Sequence, residues 1–234
     1  MTISTRLLAS LLLLSTQIIF SAAPSVYPTG TTRYDPSKAW NGYTIHDTPD
    51  EQGAVLIDMN GRVVKHWTGL TAVPSPFRIL PGGYVMGGTT PRRPHQEAVA
   101  LAQLDWDGNV VWEFQNFEEV ETEEGQTIWA SRLHHDWQRE GNPIGYYAPN
   151  AAPMVDRGNT LVLSHTNLVN PEITDKRLED DVLFEVTWDG DITWTWRASD
   201  HVEEFGFSDA ERNALHRSVQ WNENRESADW LHIN

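Results

Sequence analysis

Three stretches of the chain begin as largely apolar, β-favouring runs, break at a glycine, and resume as a second such run. They are Gly53–Trp67, Val99–Phe114 and Asp181–Trp196. A β-rich run, a turn and a second β-rich run read as a β-hairpin. The breaks are Asn60-Gly61, Asp107-Gly108 and Asp189-Gly190, pairs that predict two-residue type I′ turns. Such turns require positive φ at both central residues, which Asn, Asp and Gly tolerate. Six residues beyond each turn glycine stands a large aromatic, Trp67, Phe114 or Trp196. The shared offset makes the three hairpins a repeat.

A second hairpin precedes each of the later two. Phe77–Met86 turns at Gly83, and Ala152–Leu163 turns at Gly158. The repeating unit is therefore four antiparallel strands, the blade of a β-propeller. One such sheet cannot cover both of its faces and must stack on neighbours. The aromatics at the fixed offset are expected to fill the space between adjacent sheets. The predicted fold class is all-β, a partial propeller of about two and a half blades with long loop insertions. The insertions fall at roughly 115–150 and 197–230. The first opens with the acidic stretch Phe117–Glu124, read as a solvated loop. The second carries Ser208-Asp-Ala-Glu211, a capping box that should open a short helix toward His216.

The N-terminus departs from this pattern. Arg6 precedes a mostly apolar run, Leu7–Phe20, followed by the small residues Ser21-Ala22-Ala23. Residues 1–23 read as a signal peptide, which predicts a periplasmic or secreted protein. The run is short for a membrane span, so no stable membrane insertion is expected. Residues 24–234 are read as the N-terminal portion of the propeller domain. Closure needs at least about four blades, so the chain is expected to be a fragment. Its open edge predicts self-association or homo-oligomers.

Composition narrows the chemistry. Seventeen Lys+Arg against thirty-three Asp+Glu give a net charge of −16, which argues against nucleic-acid and anionic-lipid partners. The absence of cysteine excludes disulfides, thiolate catalysis and Cys-ligated metals. Nine histidines remain as the reactive inventory. His134-His135-Asp136 stands where one unit begins, and His232-Ile233-Asn234 stands at the equivalent start of the next. Equivalent positions on successive blades converge on the central channel, where imidazoles serve as acids, bases or nucleophiles. Neighbours on a strand diverge, so only one of His134 and His135 should face that channel. His165 and Asn167 end a strand and are read as lining the same rim. No metal and no cofactor are expected. Adjacent strand residues do not chelate one ion, and neither His-x-His nor His-Glu-x-x-His spacing occurs.

Several motifs occur in an order that resembles a known family. Val26–Asp35, Ala39–Tyr43, Gly53–Gly61, the His-His-Asp element, the Asp-Gly hairpins ending in Trp, and Trp230–Asn234 are similar to the bacterial aryl-sulfate sulfotransferases. The similarity spans nearly all of residues 26–234. It implies a six-bladed periplasmic propeller without a cofactor, which moves a sulfuryl group from a phenolic sulfate ester to a phenolic acceptor through a channel histidine. No nucleotide sulfate donor takes part. Residue by residue, His232 and Asn234 match the family's His-x-Asn element, which binds sulfuryl oxygens and positions the phenol. His135, with His134 as the alternative, matches an earlier channel histidine. The catalytic candidates are thus His135 and His232, with His134, Asn234, His165 and Asn167 as substrate-binding candidates. The family's sulfated histidine and a channel arginine have no counterpart before residue 234, so this chain is expected to lack the nucleophile. Two other readings stay open. One is a non-catalytic propeller that binds a partner through its long loops; the other is a quinoprotein-type dehydrogenase.

Overall fold

The three hairpins form where the β-rich runs and turn glycines place them. The computed structural model describes residues 31, 33–48, 53–71, 76–89, 91–92, 97–121, 125–141, 152–218 and 228–233. The expected signal peptide and Asn234 lie outside the described residues. Strands β1 (Tyr43–Asp47), β2 (Ala54–Asp58) and β3 (Val63–Trp67) make a first antiparallel sheet. The first hairpin thus has a third strand that the sequence pattern had not marked. Strands β4 (Leu70–Thr71), β5 (Arg78–Leu80) and β6 (Tyr84–Thr89) begin a second sheet. The chain then lends β7 (Pro91–Arg92) and β8 (Glu97–Ala98) to a third sheet and returns with β9 (Leu101–Leu104) and β10 (Val110–Phe114). A separate hairpin, β11 (Phe117–Glu121) and β12 (Thr127–Ser131), comes next. The third sheet is completed by β13 (Leu133–Arg139), β14 (Thr160–Val169), β15 (Arg177–Val186) and β16 (Ile192–Arg197), an antiparallel meander. The short β17 (Ala228–Asp229) runs parallel beside β15. The fold is all-β, a set of mainly antiparallel sheets, none of them closed.

The turns differ from the type I′ expectation. Gly61, Gly108 and Gly190 have φ of 77°, 92° and 93°, but Asn60, Asp107 and Asp189 are not in the positive-φ region. In each turn the glycine N–H donates to the carbonyl three residues back, at Asp58, Asp105 and Thr187. These are three-residue loops, a type I turn followed by a left-handed glycine bulge. The residue opening each loop explains the choice. The Asp58 carboxylate accepts from the N–H groups of Asn60 and Arg62, Asp105 accepts from Asn109, and Thr187 Oγ1 accepts from Asp191. A side chain that caps the loop this way favours the longer turn.

The sheets stack face to face, and the second is covered on both sides. Its alternation divides its residues between two cores. Val85, Ala102 and Leu104 join Ala54, Leu56 and Trp67 of the first sheet. Met86, Leu101, Trp112 and Phe114 join Leu133, Trp137, Val162, Val182 and Phe184 of the third. Two indoles lock the stack. Trp67 Nε1 donates to the Asp105 carbonyl at 2.9 Å, and its ring meets Trp106 edge-on. Trp112 Nε1 donates to the Trp188 carbonyl at 2.9 Å. In both cases an earlier sheet grips the turn of the next hairpin. Trp67 is essentially buried, and truncating such a residue typically costs about 3–5 kcal/mol. Trp67 and Phe114 fill inter-sheet space as expected. Trp196 instead is half-buried and stacks on His201.

The insertions behave differently from each other. The acidic stretch after Phe117 is not a solvated loop over its described part. It forms β11, with Val120 buried and Glu118 accepting from Thr166 Oγ1 at 2.8 Å. Alternation turns one carboxylate of every two inward, and a buried arginine, Arg132, receives it at 3.6 Å. The second insertion matches expectation. Ser208 and Glu211 form the reciprocal capping box at the head of the helix Asp209–Ser218.

Candidate functional site

One end of the third sheet carries a row of polar side chains across four strands. Glu97 on β8 faces His134 on β13, and His165 on β14 faces Asp181 on β15, as cross-strand neighbours. All four are buried. Pairing β13 with β14 brings His134 and His165 together, their rings stacked with centroids 3.4 Å apart. His134 Nε2 lies 3.1 Å from Asp181 Oδ1. His165 Nδ1 lies 3.5 Å from Glu97 and 3.6 Å from Glu179, and its Nε2 lies 3.7 Å from Asp181. Arg132 closes the row from below. Its fully buried guanidinium reaches Glu97 at 3.4 Å and Asn167 Oδ1 at 2.6 Å.

The next residue breaks the strand. His135 has φ +52°, the one left-handed non-glycine residue among those described. The β13–β14 register slips between Leu133 and Trp137 at the same place. A bulge re-aims a side chain that strict alternation would send to the opposite face. The expectation that only one of His134 and His135 faces the cluster is therefore corrected. Both do, with ring centroids 4.9 Å apart. Left-handed backbone at a non-glycine residue stores strain that surrounding contacts must hold, a feature concentrated at functional sites.

The segment 228–233 delivers the fourth histidine. β17 pairs with the start of β15, and two adjacent acids of β15 anchor the residues beyond β17. Trp230 Nε1 donates to Asp180 Oδ1 at 2.8 Å, and the Ile233 N–H donates to Asp181 Oδ2 at 3.1 Å. His232 is thereby set against His135, their Nε2 atoms 2.8 Å apart. Its Nδ1 lies 2.8 Å from Asp229 Oδ2. Asp229 at Nδ1 fixes the ring orientation and turns Nε2 toward His135.

Burial governs the proton affinities. It holds the His134 imidazole down to about 3, with the charge of His232 adding to the effect. It lowers His135 to about 4, helped by the charges of His134 and His232. Both rings are neutral at pH 7. Burial drives Asp181 the other way, up to about 7, against the Ile233 N–H that favours its charged form. Asp181 thus exchanges its proton near neutrality.

His134, His135, His165 and His232 lie together in one cluster, and Asn167 meets them through Arg132. A cleft of about 170 Å³ is lined by Asp136, Trp137, Gln138, Leu161, Leu163, Leu183 and Ile233, the first and last of which are the chain neighbours of His135 and His232. Sequence reasoning missed Arg132, Glu97, Asp181 and Asp229. Two adjoin the named motifs, with Arg132 two residues before His134 and Asp229 three before His232. Glu97 and Asp181 announce themselves only through strand register.

No family model and no curated protein matches this chain.

Proposed function

We propose that the chain is an exported β-propeller protein of the sulfuryl-transfer class, acting between a phenolic sulfate ester and a phenolic acceptor. The observation that carries this reading is the His135–His232 contact at 2.8 Å, backed by Asp229 and set beside an apolar cleft. The sheets stacked in series, each gripping the next turn through an indole, support the propeller.

The chemistry needs a nucleophile, a proton carrier and donors for three sulfuryl oxygens. An imidazole lone pair attacks sulfur, the S–O bond to the aryl group breaks, and the phenolate leaves with that electron pair. The acceptor phenol then gives up its proton, its oxygen attacks sulfur, and the S–N bond breaks. In this reading His135 and His232 carry the proton to the leaving oxygen and from the incoming one. The His232 N–H, with Asn234 as the sequence resemblance implies, binds the sulfuryl oxygens. The leucines of the cleft hold the aryl group. With a net charge of −16, an anionic substrate depends on such local donors.

The test is turnover of 4-nitrophenyl sulfate with phenol as acceptor, with mass spectrometry for a sulfated histidine. Aryl sulfate product and a sulfated imidazole among the nine histidines support the reading. Binding of 4-nitrophenyl sulfate without turnover is what a chain lacking the nucleophile should give; a folded sample that does not bind 4-nitrophenyl sulfate, or binds it equally after His232→Ala, contradicts the reading.

A further inference from the structure

Sulfuryl transfer leaves part of the cluster without a use. His134 is enclosed, and its Nδ1 has no hydrogen-bond partner among the described residues. A buried ring nitrogen without a partner costs free energy unless something else meets it. One ring nitrogen of each of His134, His135 and His232 lies within 4.8 Å of the others.

We propose that His134, His135 and His232 form a three-imidazole site for a borderline divalent transition cation, zinc being the best match. Three facing imidazoles with a fourth position open to solvent is a recurrent zinc donor set. Hard cations such as calcium and magnesium take oxygen ligands and fit this set poorly. The outer parts of the site are already built. Asp181 lies at His134 Nε2 and Asp229 at His232 Nδ1, at 3.1 and 2.8 Å. A carboxylate on the far nitrogen of a metal-binding histidine fixes its tautomer and raises its basicity. With Nε2–H of His134 facing Asp181, the lone pair falls on the unpartnered Nδ1.

The geometry also allows for the ion. Zn–N bonds of about 2.0–2.1 Å at a tetrahedral angle separate two nitrogens by about 3.3 Å. The His135 and His232 Nε2 atoms stand at 2.8 Å, so binding needs an opening of about half an ångström. The proton between them moves to His135 Nδ1 as the ion enters, so that both rings bind as neutral imidazoles. His232 is exposed and His135 half-buried, which gives the ion a way in. Two neighbouring donor sets are less suited. His134, His165 and Asp181 are all buried, and the Arg132 guanidinium beside Glu97 repels a cation from Glu97, His165 and Glu179. The bulge at His135 is what makes the site possible, since on a regular strand the two adjacent imidazoles would diverge.

A bound ion would occupy the two Nε2 atoms that sulfuryl transfer would use as proton carriers, so the two readings compete for His135 and His232, and the metal test requires no substrate. The full chain, without a polyhistidine tag and stripped by chelator, is titrated with Zn(II) against a chromophoric competitor and with Co(II) by visible absorption. The expected result is one equivalent of metal and intense four-coordinate Co(II) bands. The double variant His135→Ala/His232→Ala should lose at least about 100-fold in affinity. Asp229→Asn should lose about 10–100-fold while keeping all three ligands. Circular dichroism checks each variant, and Asp229→Asn keeps the test alive if the double variant misfolds. Absence of saturable binding, six-coordinate Co(II) bands alone, or unchanged affinity in both variants overturns the proposal.

Discussion

Two halves of one histidine cluster use the same side chain for different ends. His134 and His165 lie inside the third sheet, stacked on each other and hemmed by Glu97, Glu179, Asp181 and Arg132. His135 and His232 lie a few ångströms away, reached by solvent, on a left-handed residue and a short terminal segment. The inner pair takes its acidic neighbours from pairing with β8 and β15. The outer pair is held by single contacts that a ligand or a proton can replace. Depth, not residue type, decides which rings solvent and ligands can reach.

The largest effect should come from the inner half. Arg132→Ala removes the cation that neutralises buried Glu97 and faces Glu118. Breaking one side of a buried pair typically costs about 3–5 kcal/mol, a large share of a domain's stability. Urea unfolding measures it, and a loss below about 1 kcal/mol would erase the distinction between the halves. In the outer half, His232→Ala should change unfolding by under about 1 kcal/mol. Under the proposed function, and where the nucleophile is supplied, it should slow sulfuryl transfer by about two to four orders of magnitude. Unchanged turnover in a folded variant would take His232 out of the proton path.

Acidity separates the groups next. His134 and His135 have folded values near 3 and 4 against 6.5 unfolded, so the unfolded chain binds their protons first. Their contribution is whole above pH 6.5 and is lost as pH falls through 4 and then 3. Asp181 acts in the opposite sense. Raised from 3.8 to about 7, its contribution is whole below 3.8 and lost as pH rises through 7. Two histidines outweigh one carboxyl between pH 4 and 6.5, so acidification should lower the melting temperature. Asp181→Asn removes the opposing group. The variant should gain on the parent as pH rises from 4 to 8, and parallel melting curves would contradict the assignment. The smallest effect belongs to the bulge. His135→Gly relieves left-handed backbone that costs an L-residue roughly 1 kcal/mol, so stability should hold or rise slightly. A loss above about 2 kcal/mol in thermal unfolding would make His135 as structural as His134.

Much of the strand framework was legible because β-rich runs and turn glycines are local signals. Gly61, Gly108 and Gly190 marked the hairpins, although Asp58, Asp105 and Thr187 lengthened each turn by a residue. The convergence of His135 with His232 followed from equivalent repeat positions. What alternation could not show was its own failure at His135, where one bulge turns two neighbours to one side. Nor could it show Asp181, 47 residues from His134 and joined to it only by β13–β14–β15 pairing. The inward Glu118 was hidden within a run of acids whose composition suggested solvent.

The indole bonds between sheets have a direction. Trp67 reaches a carbonyl 38 residues later, and Trp112 reaches one 76 residues later. Each grips a turn that is synthesised after it. A chain emerging from the ribosome or a translocation pore therefore presents these two indoles before their acceptors exist, whereas Trp137 reaches back to the earlier Pro76 carbonyl. The Trp67 and Trp112 bonds close only when the following hairpin has been made. Tryptophan emission recorded on stalled chains of increasing length would shift in two steps, one as Asp105 emerges and one as Trp188 does.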